Sequence, residues 1–284
     1  MLDLKINKVA DHIVEWIKDY SDKNNIDTLI VGVSGGIDSS VVSTLCAMTG
    51  KKTIIVEMPI RTNENYISVD KSIGRKHVEF LTDRFDNIQA EYVDLTISFK
   101  TMKSTLNSYT DQIGTGNFEL SLANMASRLR MLTLYSFSNT YGGLVVGTGN
   151  KVEDYGIGFF TVGGDGQVDI SPIADLMKSE VYQLGKHLGV IDEILNSKPT
   201  DGLWDDGRTD EDQIGASYDE LEWAMEAVGV GFGIREDLDK DLTKRQREVL
   251  KIYLNRHNKN KFKMESIPTC IIPSYCKEEE RVLE

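Results

Sequence analysis

Short apolar runs alternate along the chain with longer segments in which apolar residues recur every three or four positions. Four of the runs are bounded by polar or glycine residues, which is typical of buried strands. They are residues 27–33, 51–59, 87–95 and 143–149. The segments between them that favour helices are residues 39–49, 63–81, 97–109 and 119–141. Alternating strands and helices predict parallel βαβ units, and therefore an α/β fold with a doubly wound parallel sheet.

Both ends of this pattern are predicted to be helical. Apolar residues recur at helical spacing from Ile6 to Ile17 and predict a helix over residues 3–22. After residue 175 the helical segments are residues 178–190, 219–230 and 243–257. We therefore expect a single domain over residues 1–284 with a helical C-terminal part, in which residues 268–284 form a tail.

Two segments between the predicted helices have the composition of loops. Residues 156–167 are rich in glycine, and residues 199–215 are acidic and rich in turn-forming residues. Composition predicts a surface loop for residues 199–215. The alternative is a lid that closes over a site.

The charge and hydropathy of the chain argue against several classes of protein. The 284 residues carry a formal net charge of −13. Binding to nucleic acid needs a basic face, so this charge argues against it. No run approaches the roughly 18 apolar residues of a membrane span, and the N-terminal segment lacks the apolar core of a signal peptide. We therefore expect a cytoplasmic protein without a membrane or nucleic-acid partner.

The segment SGGIDSS, residues 34–40, joins the first predicted strand to the next helix. It matches neither G-x-x-x-x-G-K-[ST] nor G-x-G-x-x-G. Glycine amides nevertheless allow close approach to an anion, and the N-terminus of the following helix adds a positive dipole. Asp38 then fits as a ligand of a magnesium ion carried by phosphates. The alternative is a glycine turn in which Asp38 caps the helix.

The same segment resembles the SGGxDS pyrophosphate-binding loop of the N-type ATP pyrophosphatases. Four further segments resemble NAD synthetase motifs in order and spacing, so that the similarity covers residues 5–265. They are GNFELSLANMASRLRM, VVGTGNKVED, GFFTVGGDGQVDISPIADLMKSEV and KPTDGLWDDGRTDEDQIGASYDELE. The resemblance implies a Rossmann-like fold of the N-type ATP pyrophosphatases. It also implies an ammonia-dependent NAD synthetase, which amidates deamido-NAD through an acyl-adenylate and releases AMP and pyrophosphate.

The resemblance also implies roles for individual residues. The contacts to ATP are Gly32, Val33, Ser34, Gly35, Gly36, Ile37, Asp38, Ser39, Arg61, Thr148, Lys178 and Thr200. The magnesium ligands are Asp38 and Glu153, and the contacts to deamido-NAD are Arg128, Asp169 and Lys263. The catalytic set is Asp38, Lys178 and Asp165, in which Asp165 handles the protons of the incoming ammonium.

The residue types alone leave two of these roles open. Lys178 fits as a cation that offsets charge on the phosphates during adenylation, but it could equally be a solvated lysine at the start of a helix. Arg128 could form a surface salt bridge in a chain this acidic.

Two positions depart from the family pattern on the side of the second substrate. Val162 stands where the family has a lysine, and Phe262 stands where it has a histidine next to Lys263. His257 is a candidate substitute for that histidine. One interpretation is an NAD synthetase with altered substrate contacts, which we favour, and another is a related ligase that adenylates a different carboxylate. A third hypothesis, from another class, is a non-catalytic regulator that binds ATP.

The sequence also predicts the nitrogen source of the reaction and the oligomeric state of the protein. It has no room for the glutaminase domain of glutamine-dependent relatives, so we expect it to use free ammonia unless a separate subunit delivers it. By resemblance we expect a homodimer. The apolar residues of segment 119–141 could supply the interface or belong to the core; they include Leu120, Leu122, Met131 and Leu134.

Overall fold

The computed structural model of the chain describes residues 5–61, 73–113, 118–200, 209–228 and 242–276. The strands are β1 (Thr28–Val33), β2 (Lys52–Glu57), β3 (Ile88–Tyr92) and β4 (Gly143–Val145). The helices before the last strand are α1 (Ile6–Lys23), α2 (Ile37–Met48), α3 (Ile73–Arg84), α4 (Thr96–Ile113) and α5 (Phe118–Tyr141). The later helices are α6 (Lys178–Leu188), α7 (Asp192–Leu195), α8 (Asp210–Ile214), α9 (Tyr218–Val228) and α10 (Lys244–Met264). A π-helical segment (Val152–Ile157) and a short 3-10 helix (Ser274–Cys276) complete the set.

The strands form a parallel four-stranded sheet in the order β3–β2–β1–β4. Ile30 at the centre of β1 lies between Ile54 of β2 and Val145 of β4. Because every pair is parallel, the carboxyl ends of all four strands lie at one edge of the sheet, where ligands bind in such folds.

Helices cover both faces of the sheet. Leu29 and Val31 belong to a buried cluster that includes residues of α1, α2, α3 and α6. Ile30 points the other way and packs in a second cluster with Met131 and Leu134 of α5. This alternation follows from the two-residue period of a strand. The predicted doubly wound α/β fold is confirmed.

A third buried cluster lies outside the sheet and forms the helical C-terminal part. Its members come from the π-helical segment and from α8, α9 and α10, and they include Ile157, Ile214, Leu221 and Leu250. This cluster matters for the site described below, because it places α9 against the segment that follows β4.

The structure corrects two expectations of local structure. Residues 210–214 of the predicted acidic loop form α8, whose first turn is capped by the Thr209 hydroxyl accepting from the Asp212 N–H at 3.1 Å. Residues 201–208 of that stretch lie outside the described residues. The glycine-rich loop also begins later than predicted, because residues 152–157 are π-helical.

The apolar residues of α5 divide between core and surface. Met131 and Leu134 are buried, so the core interpretation is correct for them, whereas Leu120 is exposed. Residues 265–274, which include the start of the predicted tail, are exposed. None of the described helices is long and apolar enough to cross a membrane.

Candidate active site

Serine hydroxyls shape the loop between β1 and α2. The Ser34 N–H donates to Ser39 Oγ at 3.2 Å, and the Gly36 N–H donates to Ser34 Oγ at 3.2 Å. The hydroxyls of Ser39 and Ser40 both donate to the Gly36 carbonyl, at 3.0 and 2.9 Å. These bonds fold residues 34–40 into a tight turn that leads into the N-terminus of α2, which is a favourable place for an anion.

Gly35 is required by the backbone of this turn. Its φ is +88°, and a Cβ there would lie 2.8 Å from the backbone nitrogen of Gly74 at the start of α3. A side chain would therefore be both strained and in collision with a neighbouring backbone. The loop and α3 can approach each other this closely because position 35 is glycine.

Three of the predicted site residues converge beside this loop. Lys178 Nζ donates to Asp38 Oδ2 at 2.5 Å and to Glu153 Oε1 at 3.0 Å. Only 3% of the Lys178 side chain is exposed. The alternative interpretation of Lys178 as a solvated surface lysine is therefore wrong.

Each of the three side chains comes from a different element. Asp38 lies in the first turn of α2, Glu153 in the π-helical segment, and Lys178 is the first residue of α6. Asn150, which is fully buried, links two of them. Its Nδ2 donates to Asp38 Oδ1 at 3.2 Å, and its Oδ1 accepts from the Glu153 N–H at 3.2 Å.

The charges of this cluster support one another. Burial alone would lower the pKa of Lys178, but Asp38 and Glu153 outweigh it and raise that pKa above its usual range. Burial alone would raise the pKa of Glu153, but the Lys178 ammonium and the Tyr218 hydroxyl outweigh it and lower that pKa. Burial raises the pKa of Asp38, and Glu153 adds to it, despite the opposing effect of Lys178. The lysine is therefore an ammonium whose more strongly ionised partner is Glu153.

The same carboxylates are suited to a hard cation. Asp38 and Glu153 direct oxygens at one point, which the Lys178 ammonium occupies. Within the described part of the chain, no group of three or more histidine, cysteine, aspartate or glutamate side chains could hold a metal. Oxygens of bound phosphates would have to supply the remaining ligands, as is usual for magnesium at nucleotide sites.

The remaining predicted ATP contacts with side chains outside the loop are Thr148, Arg61 and Thr200. Thr148 follows β4 and precedes Asn150 by two residues. Arg61, four residues after β2, pairs with Asp94 at 2.5 Å and donates to the Tyr92 hydroxyl, so its guanidinium lies at the β2–β3 side of the edge. Thr200 is exposed and borders residues outside the described ranges.

Two predicted contacts of the second substrate hold the loop that follows the π-helical segment. Arg128 Nε on α5 donates to the Val162 carbonyl at 3.1 Å. The Lys263 ammonium on α10 donates to the carbonyls of Gly158 and Phe160, the latter at 2.7 Å. The structure thus brings Arg128 and Lys263 to one loop, in which Val162 is half exposed.

Asp169 is engaged within the protein. Its carboxylate accepts from the Val145 N–H at 2.7 Å and from the Tyr135 hydroxyl at 3.1 Å. Next to these bonds, a parallel bridge between Val146 and Ile170 continues the sheet beyond β4. A contact between Asp169 and a substrate stays a prediction.

A cavity of about 170 Å³ lies between this loop and the end of β4. Its lining consists of Gly147, Gly149, Asp154, Tyr155, Phe160, Asp165, Gly166, Val168, Ser171, Lys263 and Met264. Asp165 is fixed there because its Oδ1 accepts from the Ser127 hydroxyl at 2.5 Å. Burial, with Glu153, Asp165 and Asp38 adding to it, raises the pKa of Asp154 to about 8. The cavity therefore has two acidic groups in its wall next to the cluster around Lys178.

Three residues of the site carry no assignment from the sequence. Asn150 and Asp154 lie in the motif VVGTGNKVED, and Tyr218 lies in the segment that ends in SYDELE. The Tyr218 hydroxyl donates to Glu153 Oε1 at 2.6 Å, and its ring lies 4.7 Å from Lys178 Nζ. Their positions inside the quoted motifs were the available signal, but residue type alone did not distinguish them from core or surface positions.

A role of His257 in place of the family histidine stays a prediction. His257 is buried on α10, with its Nδ1 at 2.7 Å from the Gly156 carbonyl and its ring stacked on Tyr253. Phe262, by contrast, is 71% exposed.

Comparisons of the sequence with known proteins agree on one family. The model of the NAD synthase family matches residues 9–267. An NH(3)-dependent NAD(+) synthetase of Alkaliphilus metalliredigens is 35% identical over 80% of this chain and 89% of the relative. An NH(3)-dependent NAD(+) synthetase of Methanosarcina acetivorans is 32% identical over 93% of this chain and 98% of the relative.

Solved structures extend the similarity to the fold. NMN synthetase from Francisella tularensis superposes with a TM-score of 0.76 at 28% identity, covering 95% of this chain and 100% of that one. NH3-dependent NAD synthetase from Campylobacter jejuni superposes with a TM-score of 0.69 at 24% identity, also covering 95% of this chain and 100% of that one. At that identity the second similarity bears on the fold alone.

Proposed function

The chain belongs to the NAD synthase family, and we propose that it catalyses the ATP-dependent amidation of deamido-NAD by ammonia. The observation that carries this proposal is the buried Lys178 ammonium between Asp38 and Glu153, beside the loop at the N-terminus of α2. A loop suited to phosphates and a cluster able to exchange one cation for another are what adenylation of a carboxylate needs.

The first step activates the carboxylate of the acceptor. A carboxylate oxygen attacks the α-phosphorus of ATP, the bond from that phosphorus to the bridging oxygen breaks, and pyrophosphate leaves with the electron pair. We assign the grip on the phosphates to residues 32–39, with Arg61, Thr148 and Thr200 as further contacts to ATP. Lys178 offsets the negative charge that builds up on the phosphates.

Asp38 and Glu153 are the residues that would hold magnesium. When bound, the metal would neutralise phosphate charge and favour departure of pyrophosphate. The chain itself contributes position and exclusion of water, because Asp38, Glu153 and Lys178 are all largely buried.

The second step transfers nitrogen. Ammonia attacks the carbonyl carbon of the acyl-adenylate, the bond to the AMP oxygen breaks, and AMP leaves with the electron pair while the nitrogen loses one proton to give the amide. An ammonium ion must lose a proton before it can attack. We propose Asp165, in the wall of the cavity, as the residue that accepts this proton. The neighbouring Asp154, whose pKa burial raises to about 8, is largely uncharged at neutral pH.

A second candidate acceptor follows from the substrate side. We propose Arg128, Asp169 and Lys263 as acceptor contacts, but Val162 and Phe262 offer no charge where the family pattern has a lysine and a histidine. A lost charge-assisted contact costs about 1.5–3 kcal/mol of binding. The loss of these two charges, together with the similarity to NMN synthetase from Francisella tularensis, supports nicotinate mononucleotide as a second acceptor to test. This molecule lacks the adenylate half of deamido-NAD, which the two missing charges could contact.

The test measures AMP and pyrophosphate release with ATP, magnesium, ammonium and each acceptor in turn. Formation of the amide in equal amount to AMP with deamido-NAD supports the first proposal. A kcat/KM at least tenfold higher with nicotinate mononucleotide reverses the choice of acceptor. If the protein binds ATP but releases no AMP in the presence of either acceptor, the result would favour the non-catalytic regulator. Omitting ammonium is the control, since amide formation must stop.

Assembly and location follow as further proposals. We propose a homodimer in the cytoplasm, as the resemblance predicts. Sedimentation of the purified protein tests the first, and the exposed Leu120 and Leu132 on α5 are the positions at which charge substitution should weaken a dimer.

A further inference from the structure

Helix α9 presents two buried polar side chains, one turn apart, to the proposed ATP site. Tyr218 and Glu222 are 5% and 7% exposed. Residues four apart lie on the same face of a helix. The rest of that helix packs in the C-terminal cluster through apolar residues such as Leu221 and Ala224. Polar groups buried at this depth need hydrogen-bond partners. Tyr218 bonds to Glu153 of the charged cluster, and Glu222 bonds to Ser179, the residue after Lys178.

Tyr218 contacts both partners of the ion pair. Its hydroxyl donates to Glu153 Oε1 at 2.6 Å, the same oxygen that accepts from Lys178 Nζ at 3.0 Å. Its ring lies beneath the ammonium, with the centroid 4.7 Å from Nζ. The hydroxyl therefore fixes the direction of the carboxylate, and the ring face fixes one side of the cation.

Glu222 acts on the backbone that carries Lys178. Its Oε1 accepts from the Ser179 N–H at 2.8 Å, and its Oε2 accepts from the Ser179 hydroxyl at 2.7 Å. Ser179 is the second residue of α6, so its N–H is one that a helix leaves without an intrahelical partner. The residue before α6 is Met177, whose thioether is only a weak acceptor. Glu222 thus supplies from another helix the acceptor that an N-terminal Ser or Asp would normally supply.

We propose that Tyr218 and Glu222 are positioning residues for the adenylation step, through which α9 fixes the reactive ends of Glu153 and Lys178. This inference rests on the proposed function in one respect, namely that Glu153 and Lys178 act on ATP. Neither residue touches the reacting atoms. Tyr218 orients the Glu153 carboxylate for a cation. Glu222 holds the first turn of α6, so that the backbone of Lys178 stays in place while its ammonium contacts the phosphates.

Conservative variants separate positioning from packing. Tyr218→Phe keeps the ring under Lys178 and removes the hydroxyl, which donates to Glu153 Oε1 at 2.6 Å and lies 3.4 Å from Asp210 Oδ2. Tyr253→Phe is the matched control, because Tyr253 is a buried tyrosine in the same C-terminal cluster and lies on α10. At Glu222, Glu222→Gln retains an acceptor for Ser179, whereas Glu222→Ala removes both bonds. Ser179→Ala removes one bond without leaving a cavity in the core.

Two measurements read the effect. Steady-state kinetics give kcat, the KM for the acceptor and the magnesium concentration for half-maximal rate. Calorimetry with α,β-methylene-ATP, which cannot be cleaved at the reacting bond, gives nucleotide affinity with and without magnesium. We expect Tyr218→Phe to lower kcat by about 10- to 100-fold and to raise the half-saturating magnesium concentration by about the same factor. The KM for the acceptor should stay unchanged. Tyr253→Phe should leave all of these values at the wild-type level.

The outcomes also distinguish the two proposals. Wild-type kcat and magnesium dependence in Tyr218→Phe, or equal effects of Tyr218→Phe and Tyr253→Phe, would overturn the positioning role of Tyr218. Failure of Glu222→Gln to recover activity lost in Glu222→Ala, together with a silent Ser179→Ala, would overturn that of Glu222. If the wild-type protein releases no AMP with any acceptor, the proposed function fails. The calorimetric comparison would then still decide whether Tyr218 supports magnesium-dependent binding of the nucleotide.

Discussion

Replacing Lys178 by methionine should convert the buried ion cluster into a site that binds a divalent cation without ATP. Lys178→Met keeps an unbranched side chain of similar length and removes the ammonium. Asp38 and Glu153 then face each other with no cation between them, although each lies within 3.0 Å of the ammonium in the native chain. The two carboxylates must become protonated, take up a cation, or repel each other.

The size of the effect follows from burial. Removing one partner of a buried ion pair costs about 3–5 kcal/mol of folding stability, because the remaining charge is left uncompensated. Magnesium that binds the folded variant returns part of this loss. At a concentration one hundred times its dissociation constant, a ligand that binds only the folded state adds about 2.7 kcal/mol.

Urea denaturation in EDTA and in magnesium measures both quantities. We expect Lys178→Met to lose about 3–5 kcal/mol in EDTA and to be stabilised by magnesium, whereas magnesium alone should leave the wild-type protein unchanged. Lys151→Met is the control, because Lys151 pairs with the almost fully exposed Asp175 at 2.8 Å, and such surface pairs contribute about 0–1 kcal/mol. Equal stability of Lys178→Met and wild type in EDTA, or an equal response of both to magnesium, would refute the reasoning.

Three further predictions concern the loop, the acceptor and pH. Gly35→Ala should abolish binding of α,β-methylene-ATP and destabilise the fold more than Gly50→Ala, because both glycines have positive φ but only the first would collide with a backbone; equal effects in urea denaturation would contradict this. Val162→Lys should lower the KM for deamido-NAD by about tenfold or more through a charge-assisted contact while leaving kcat unchanged, and an unchanged KM would exclude that contact. Burial lowers the pKa of His77 to about 4. Below about pH 6.5 the unfolded chain therefore binds a proton at this histidine that the folded chain does not bind. The free energy of unfolding should consequently fall by up to about 3 kcal/mol between pH 6.5 and 4. His77→Gln should show a shallower fall over that range.

The sheet could be predicted because its signal is local. The apolar run of β1 has glycine and polar residues at its ends, and the same holds for β2, so each strand and its following loop could be read without knowledge of its neighbours. The position of SGGIDSS at the carboxyl end of a parallel strand then follows from topology. Segment ends were less accurate, as α8 shows, because the acidic composition of residues 210–214 suits both a loop and a capped helix turn.

The site could be predicted only where residue type and motif agree. Asp38 stood out as an acidic residue in a phosphate loop, and the alternative for Lys178 could be dismissed only once its burial between Asp38 and Glu153 was known. Tyr218 and Glu222 lie inside a quoted motif, but their roles could not be predicted, because their partners are 65 and 43 residues away along the chain and no local pattern relates them. Long-range pairing of polar groups is a property of the folded chain rather than of any segment.

The position of Lys178 has a consequence for the order in which ligands bind. One pair of carboxylates cannot hold the ammonium and a metal ion at the same point, so a metal that binds alone must displace Lys178 from a buried pair without offering it a new partner. A metal that arrives with ATP brings phosphate oxygens to which the displaced ammonium can turn. Magnesium should therefore bind tightly only with the nucleotide, and by linkage the nucleotide should bind more tightly with magnesium by the same factor. In Lys178→Met this coupling should shrink, because the metal no longer has a cation to displace. Calorimetric titrations of magnesium and α,β-methylene-ATP, each with and without the other, measure the coupling, and an equal factor in variant and wild type would show that Lys178 does not compete for the metal position.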